Sequence, residues 1–311
     1  MRTRASSRMI RSRTYSSSSS SSSIYLWLVH PLAFQLAVAE FADRFELIKR
    51  LAHRKQLSCI WIPSAGSTVA IKRFYKHVGV KSVQEKPGVY GVTLDGRWLK
   101  TPRKQCLEVP GLELASAIAS EWAVQHVYIR RSSMPLTALA NAALDTIPHI
   151  RPTMEASLMQ FLETDTAAFR VAYPERLKEE QDRVLGPLAE YVQTRYGCKL
   201  YPTRSLVPIP PDPDSVRGVR QEIQQMDHLT FAALDLATST TKSLVIALCL
   251  RDGFIDSFMA TSASRCEEDF QMHMYGRVEG SHDLDIADTK VRLASSSFVF
   301  AAVPRSLSLS L

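Results

Sequence analysis

The chain has 311 residues, 45% of them hydrophobic and 22% charged, the balance of a globular protein that can bury a core in one large domain or two ordinary ones. Its net charge of +7 comes from residues 1–55, which hold ten Lys/Arg against three Asp/Glu, while residues 56–311 hold 28 of each sign. A neutral body with no basic run lacks the electrostatic footprint that phosphate binding needs, so the expected partners include no nucleic acid.

Residues 1–23, "MRTRASSRMIRSRTYSSSSSSSS", carry five arginines, no acid and a run of eight serines. Arg-rich, Ser-rich and acid-free is the composition of an organellar transit peptide, and the arginine density favours the mitochondrion over the plastid. Residues 24–39 form an uncharged run of sixteen residues interrupted by His30, Pro31 and Gln35. A bilayer core needs about twenty apolar residues, so no stable membrane insertion is expected. Residues 40–56 read as a helix outside the core, and residues 1–70 together as a transit peptide and poorly ordered extension. The five cysteines are scattered, with no CxxC, which argues against a zinc module or disulfide framework and suits a reducing compartment such as the mitochondrial matrix.

From residue 72 the pattern becomes that of strands. Tyr90, Val92 and Leu94 alternate with small residues, Asp95-Gly96 breaks the run, and Trp98 resumes it. Asp-Gly between two such runs predicts a hairpin, because a type I′ turn needs positive φ at both central positions. "QCLEVP" adds a further strand, ended by Pro110-Gly111, so residues 72–110 read as one antiparallel unit. Arg97 and Lys100 fall on its solvated edge, whereas Trp98 and Trp122 read as core side chains.

The period then changes to that of helices. Leu114, Ile118 and Trp122 share one face. Further helices are predicted over residues 134–147, from Pro152 near a first turn, and between Pro174 and Gly197. "TDT" at 164–166 reads as capping chemistry, and the four prolines within 206–216 as a rigid linker. Four more helices follow, the fourth carrying "SRCEEDFQ", and "HDLD" reads as the N-terminus of the last helix, where acids favour the helix dipole. The layout is α+β: a small β-rich N-terminal domain (71–133, with one helix), a multihelical C-terminal domain (134–304) and a tail (305–311).

No phosphate loop, HExxH or GxSxG occurs, so no catalytic residue and no cofactor is assigned. The candidate chemistry lies in "SRCEEDFQMHMYGRVEGSHDLD", residues 264–285. Glu267, Glu268, Asp269, His273, His282, Asp283 and Asp285 could form the cluster of a metal-dependent hydrolase, although only Asp269 and His273 have the i, i+4 spacing of a helical ligand pair. An alternative follows from one long helix in which Met259, Ala263, Cys266, Phe270 and Met274 form an apolar stripe. Glu267 would flank that stripe, Asp269 would lie on its other side and Glu268 nearly opposite. An acid beside such a stripe is suited to capturing a basic group on a protein partner, and a plain solvated face is the third possibility.

The stretches "RFYKHVGV", "YGVTLDGRWLKTP", "LASAIASEWAVQ", "MPLTALANAALD", "FLETDTAAFR", "TKSLVIALCLRDG", "SRCEEDFQ" and "YGRVEGSHDLD", taken in order over residues 72–302, resemble the assembly chaperones of the mitochondrial ATP synthase. Leu185, Tyr191 and Tyr275 stand where that family tends to have tryptophan, and Cys266 where leucine is usual. The resemblance implies a chaperone rather than an enzyme. It would bind the free alpha subunit of the catalytic sector and prevent its aggregation until the beta subunit replaces it, and it would be monomeric when free. By position, the resemblance makes Glu267 the principal partner-binding residue, with Glu268 and Asp269 secondary, and Trp122 structural, as Asp95 and Gly96 are by their turn.

Overall fold

The computed structural model describes residues 71–204, 209–280 and 282–303, all within the unit Thr68–Leu311. The expected transit peptide, the apolar run at 24–39, the helix expected over 40–56 and the tail at 305–311 lie outside the described residues. Four strands open the fold: β1 (Val78–Ser82), β2 (Val89–Leu94), β3 (Arg97–Trp98) and β4 (Glu108–Pro110). β2 is central and pairs antiparallel with each of the others, Val80 opposite Val92, Thr93 opposite Trp98 and Tyr90 opposite Val109. The hairpin turns where the Asp-Gly pair predicts it, with φ of 48° at Asp95 and 79° at Gly96. The Asp95 carboxylate also accepts the N–H groups of Lys76 (3.0 Å) and His77 (2.8 Å), and these hydrogen bonds hold its pKa below the ordinary value.

Trp98 departs from the core role expected of it and is 39% exposed. The reason is cross-strand: a Cβ on Gly91 would stand 2.3 Å from Trp98 Cζ3. The indole therefore lies flat over a glycine, on the sheet's outer side. Trp122 packs partly buried against the core. Its carbonyl accepts from Tyr75 Oη (2.7 Å), and the two rings lie 5.7 Å apart.

Pro110-Gly111 ends β4, Gly111 taking a φ of 81°, and α1 (Leu112–Ala123) buries Leu114, Ala115 and Ile118 against the sheet. The next helical run is continuous from Pro135 to Glu163: α2 (Pro135–Asn141), one π-helical segment (Ala142–Thr146) and α3 (Ile147–Glu163). Pro152 is thus interior to α3, not near its start, because the π segment carries the helix through to Pro148 in the first turn. The same segment presents buried Asp145 to the strand region, where it accepts from Thr101 Oγ1 (2.7 Å) and Arg103 N (2.9 Å).

α4 (Glu175–Tyr196) runs from Pro174 to Gly197, the latter left-handed at φ 71°, as the sequence predicts. α5 (Arg217–Gln225), α6 (His228–Thr241), α7 (Leu244–Arg251), α8 (Ser257–Ser264), α9 (Cys266–Tyr275) and α10 (His282–Ala302) complete the fold. α7 is apolar all round, and every residue from Leu244 to Leu250 is buried, so it is the central helix. Asp165 in "TDT" does more than cap its own turn. It accepts from Ala167 N (2.9 Å), Ser243 Oγ (2.5 Å) and Val245 N (3.0 Å), tying that turn to the start of α7. α6 packs on α7 and α10, and one hydrophobic cluster runs from Tyr75 to Val303. The architecture is α+β, a small antiparallel sheet followed by helices, and no helix of the described residues is long and apolar enough to cross a membrane.

Candidate partner-binding site

The single helix expected over 259–274 is two. Arg265 leaves the helical region (φ −112°, ψ 13°) and separates α8 from α9. The five-residue stripe is therefore divided. Ala263 and Cys266 are buried and Phe270 is half-buried, whereas Met259 and Met274 are 53% and 54% exposed. The physical cause is Arg265 itself, a buried guanidinium drawn between elements. It reaches Glu268 Oε2 (2.5 Å), Asp269 Oδ1 (4.0 Å) and, at short range, Asp285 on the first turn of α10.

This cation reorganises the acidic cluster. Glu268, Asp269 and Asp285 converge, but on an arginine of the same chain rather than on a metal, and among the described residues no group of His, Cys, Asp and Glu could hold an ion. His282 accepts the Val278 N–H through Nδ1 (3.2 Å), which closes the loop before α10. His273 and Asp283 stand exposed and are not brought into the cluster. The metal-site alternative is corrected accordingly: the positive charge that balances these carboxylates is built into the backbone break.

Glu267 faces the other way, toward α4. Gln181, 1% exposed, donates through Nε2 to Glu267 Oε1 at 2.7 Å, and its own Oε1 accepts the Val171 N–H at 2.8 Å. Glu267 is nonetheless exposed as a residue, as are Glu268 and Asp269. Its neighbour Cys266 is buried, and burial pushes the thiol pKa up to about 11. On the same run of elements Phe258, Met259, Met274, Tyr275, Val278 and Leu284 remain uncovered. Residues 256–288 carry eight Asp/Glu against two Lys/Arg. Exposed apolar side chains and carboxylates thus alternate along these elements, the chemistry that complements a basic, partly apolar face.

The sequence reading missed Gln181 and Arg265. A signal for the first exists: Leu177, Gln181, Leu185, Leu188 and Val192 lie on one buried face of α4, so an amide inside that stripe must find a polar partner. Leu185 and Tyr191 both serve the interior, the former buried, the latter stacked on Phe254 at 4.2 Å and donating to Asp252 at 3.1 Å. Tyr275 is 86% exposed.

Comparison with known proteins places this geometry. A family model described as ATP12 chaperone protein matches residues 72–193. Protein atp12, mitochondrial, of Schizosaccharomyces pombe is 27% identical over 242 residues, covering 74% of this chain and 82% of that protein. Protein ATP12, mitochondrial, of Saccharomyces cerevisiae is 23% identical over 272 residues, with coverage of 73% and 82%. Among solved structures, the crystal structure of Atp12 from Paracoccus denitrificans is similar with a TM-score of 0.67 and 31% identity, over 74% of this chain and 97% of that one.

Proposed function

The chain belongs to the ATP12 chaperone family of ATP synthase assembly factors, and on that premise we propose that it holds the free alpha subunit of the catalytic sector until the beta subunit takes its place. The family model it matches is described as a chaperone protein. The observation that carries the reading is the match along 97% of the Paracoccus Atp12 chain. The relatives' mitochondrial names support a mitochondrial protein, and we place it in the matrix, where the free thiols stay reduced.

An unassembled subunit exposes a large apolar interface and is an aggregation hazard. A holder must cover that interface and later leave it, so its affinity is best supplied by a moderate apolar area with charged anchors. The exposed Phe and Met side chains of α8 and α9 suit the first need, and Glu267 at the start of α9 the second. Glu267 is the principal anchor for a client Arg or Lys. Glu268 and Asp269 are shared with Arg265 and add charge rather than a free contact. The free chaperone is a monomer.

The test is light scattering of purified alpha subunit diluted from denaturant, with and without the full chain. Suppression at near-equal molar ratio, its loss in Glu267→Lys, and release on adding beta subunit are the expected results. Equal protection of the beta subunit, or full protection by the Glu267→Lys protein, would refute the reading.

A further inference from the structure

The neutral total of the body conceals two oppositely charged parts. Residues 71–133 hold eleven Lys/Arg against five Asp/Glu, and residues 134–303 hold sixteen against twenty-three. Within the basic part, the segments 71–82 and 122–133 contain no acid at all. The fold joins them: Lys72 and Tyr128 form an antiparallel bridge, Arg73 N donates to Val127 O at 2.9 Å, and Ile129 N donates to Ile71 O at 2.9 Å.

On the joined surface Phe74 is 68% exposed, Val127 64% and Tyr128 47%. Lys72, Lys76, Arg130 and Arg131 are exposed around them and form no ion pair with a described residue. Asp95, in the turn after β2, accepts the Lys76 and His77 N–H groups, and its charge lies beside this segment. The chain then enters β1, which among the described strands pairs only with β2. The outer side of β1 therefore presents main-chain donors and acceptors without a partner among the described strands; exposed Ser82 and Lys81 lie on the strand, the Lys81 Nζ donating to Gly96 O at 3.4 Å.

We propose that the outer edge of β1, with Phe74 and the lysines at 72 and 76 in the segment leading into it and Lys81 on the strand itself, receives an extended acidic segment of a polypeptide by strand addition. Three arguments select this occupant. An edge strand offers alternating N–H and C=O groups that only another polypeptide matches in register. An anionic lipid surface would suit the lysines and Phe74 but would leave those main-chain groups unsatisfied in the hydrocarbon. The phosphates of a single-stranded nucleic acid would accept from the N–H groups yet oppose the carbonyls between them. The lysines repel a basic or identical strand and admit an acidic one, so the edge is guarded against self-pairing while open to one class of client. The chaperone reading enters only as the source of the segment, an unassembled subunit with an uncovered acidic strand; the site stands on its own geometry.

The experiment uses the full chain and a short fluorescein-labelled peptide alternating glutamate and valine, with its lysine-for-glutamate counterpart as control. The acidic peptide is expected to bind and to slow hydrogen exchange at the β1 amides. Lys76→Glu/Lys81→Glu should weaken it roughly tenfold or more with the melting temperature unchanged, and Phe74→Ser should weaken it without altering the charge. If the charge-reversed protein fails to fold, the Lys76→Ala/Lys81→Ala protein carries the same test with a smaller expected loss. No binding, equal binding of the basic peptide, or protection elsewhere than β1 overturns the proposal. So does binding of phosphatidylserine vesicles or single-stranded RNA in place of the peptide. Glu267→Lys should bind the acidic peptide as the wild type does. Loss of subunit capture with peptide binding intact therefore bears on α9 alone, and failure of the peptide with capture intact sinks the β1 edge alone.

Discussion

Gln181 and Glu267, 86 residues apart in sequence, share a 2.7 Å hydrogen bond in which the buried amide donates and the exposed carboxylate accepts. The amide is itself fixed by the Val171 N–H, so one rotamer of Glu267 is favoured before any client arrives. Preorganisation of this kind reduces the ordering cost of binding. Gln181→Met is expected to weaken capture of the alpha subunit several-fold, equivalent to about 1 kcal/mol, and to lower stability by a similar amount. Glu267→Gln should retain the fold with most of the capture lost. Titrated aggregation suppression and scanning calorimetry separate the two effects, and equal capture by Gln181→Met and wild type would show that orientation of Glu267 is irrelevant.

Arg265 joins α9 to α10 through Glu268 and Asp285. Because those carboxylates are half-exposed or more, while the guanidinium is buried, the loss on Arg265→Met is set mainly by the released helix terminus. About 1–3 kcal/mol is expected, below the figure for a fully buried pair. Hydrogen exchange should quicken selectively in the first turn of α10. Uniform quickening along all helices would mean that Arg265 supports the whole core instead.

Three carboxyls, Glu121, Asp165 and Asp235, are pushed upward by burial and make stability depend on pH in an unusual direction. Burial pushes Glu121 up to about 7, against the hydrogen bonds it accepts from Thr137 and Leu136, and pushes Asp165 up to about 6, against Ser243, Val245 and Ala167. Each folded pKa lies above its unfolded value, so the folded state holds the extra proton and the favourable contribution declines as pH rises through the interval, between about 4.5 and 7 for Glu121 and between about 3.8 and 6 for Asp165. The carboxyls shifted downward, Asp95 and Glu180, act in the opposite sense but below their ordinary values, outside most of this window. His228, held below its ordinary value by burial and Arg151, opposes the trend below about 6.5 and is to be separated by His228→Gln. Urea unfolding should therefore show lower stability at pH 8 than at pH 5.5, with the difference reduced in Glu121→Gln. A stability that rises over this range, unaltered by that substitution, would contradict the assignment.

Gly91 and Trp98 form a packed pair on the outer side of the sheet. Gly91→Ala places a methyl inside the indole, and overpacking of this order costs roughly 1–3 kcal/mol. Trp98→Ala alone is expected to cost less, the ring being partly exposed, and the double variant should be more stable than Gly91→Ala by about 1 kcal/mol or more. Additive losses in that cycle would place the strain elsewhere.

The turn and stop signals were legible because each acts through its own backbone. Asp95-Gly96, Pro110-Gly111 and the span from Pro174 to Gly197 all fall where sequence chemistry puts them. The break at Arg265 was not legible. "ASRCEE" has no Gly or Pro, and its apolar period continues through the break; only a tertiary cause, the carboxylates of α9 and α10 around one guanidinium, ends α8 there. Trp98 misled for a related reason, since the cross-strand space above Gly91 is set by register rather than by neighbours in sequence. The charge of the body misled by cancellation: a count over 256 positions hides a basic sheet region and an acidic helical one. Glu267 was found as a candidate by its place in a family motif, while its hydrogen-bond partner on α4 required the fold.

The packing of α10 on α6 has a consequence for biogenesis. α10 is translated after α6 and α7, and it packs on both, burying Leu293 and Val299. Any chain still threading through a ribosome or an organelle pore lacks this cover and shows a bare aliphatic slab to its surroundings. The caretaker thus passes through the same hazardous condition as its ward until α10 has emerged and docked.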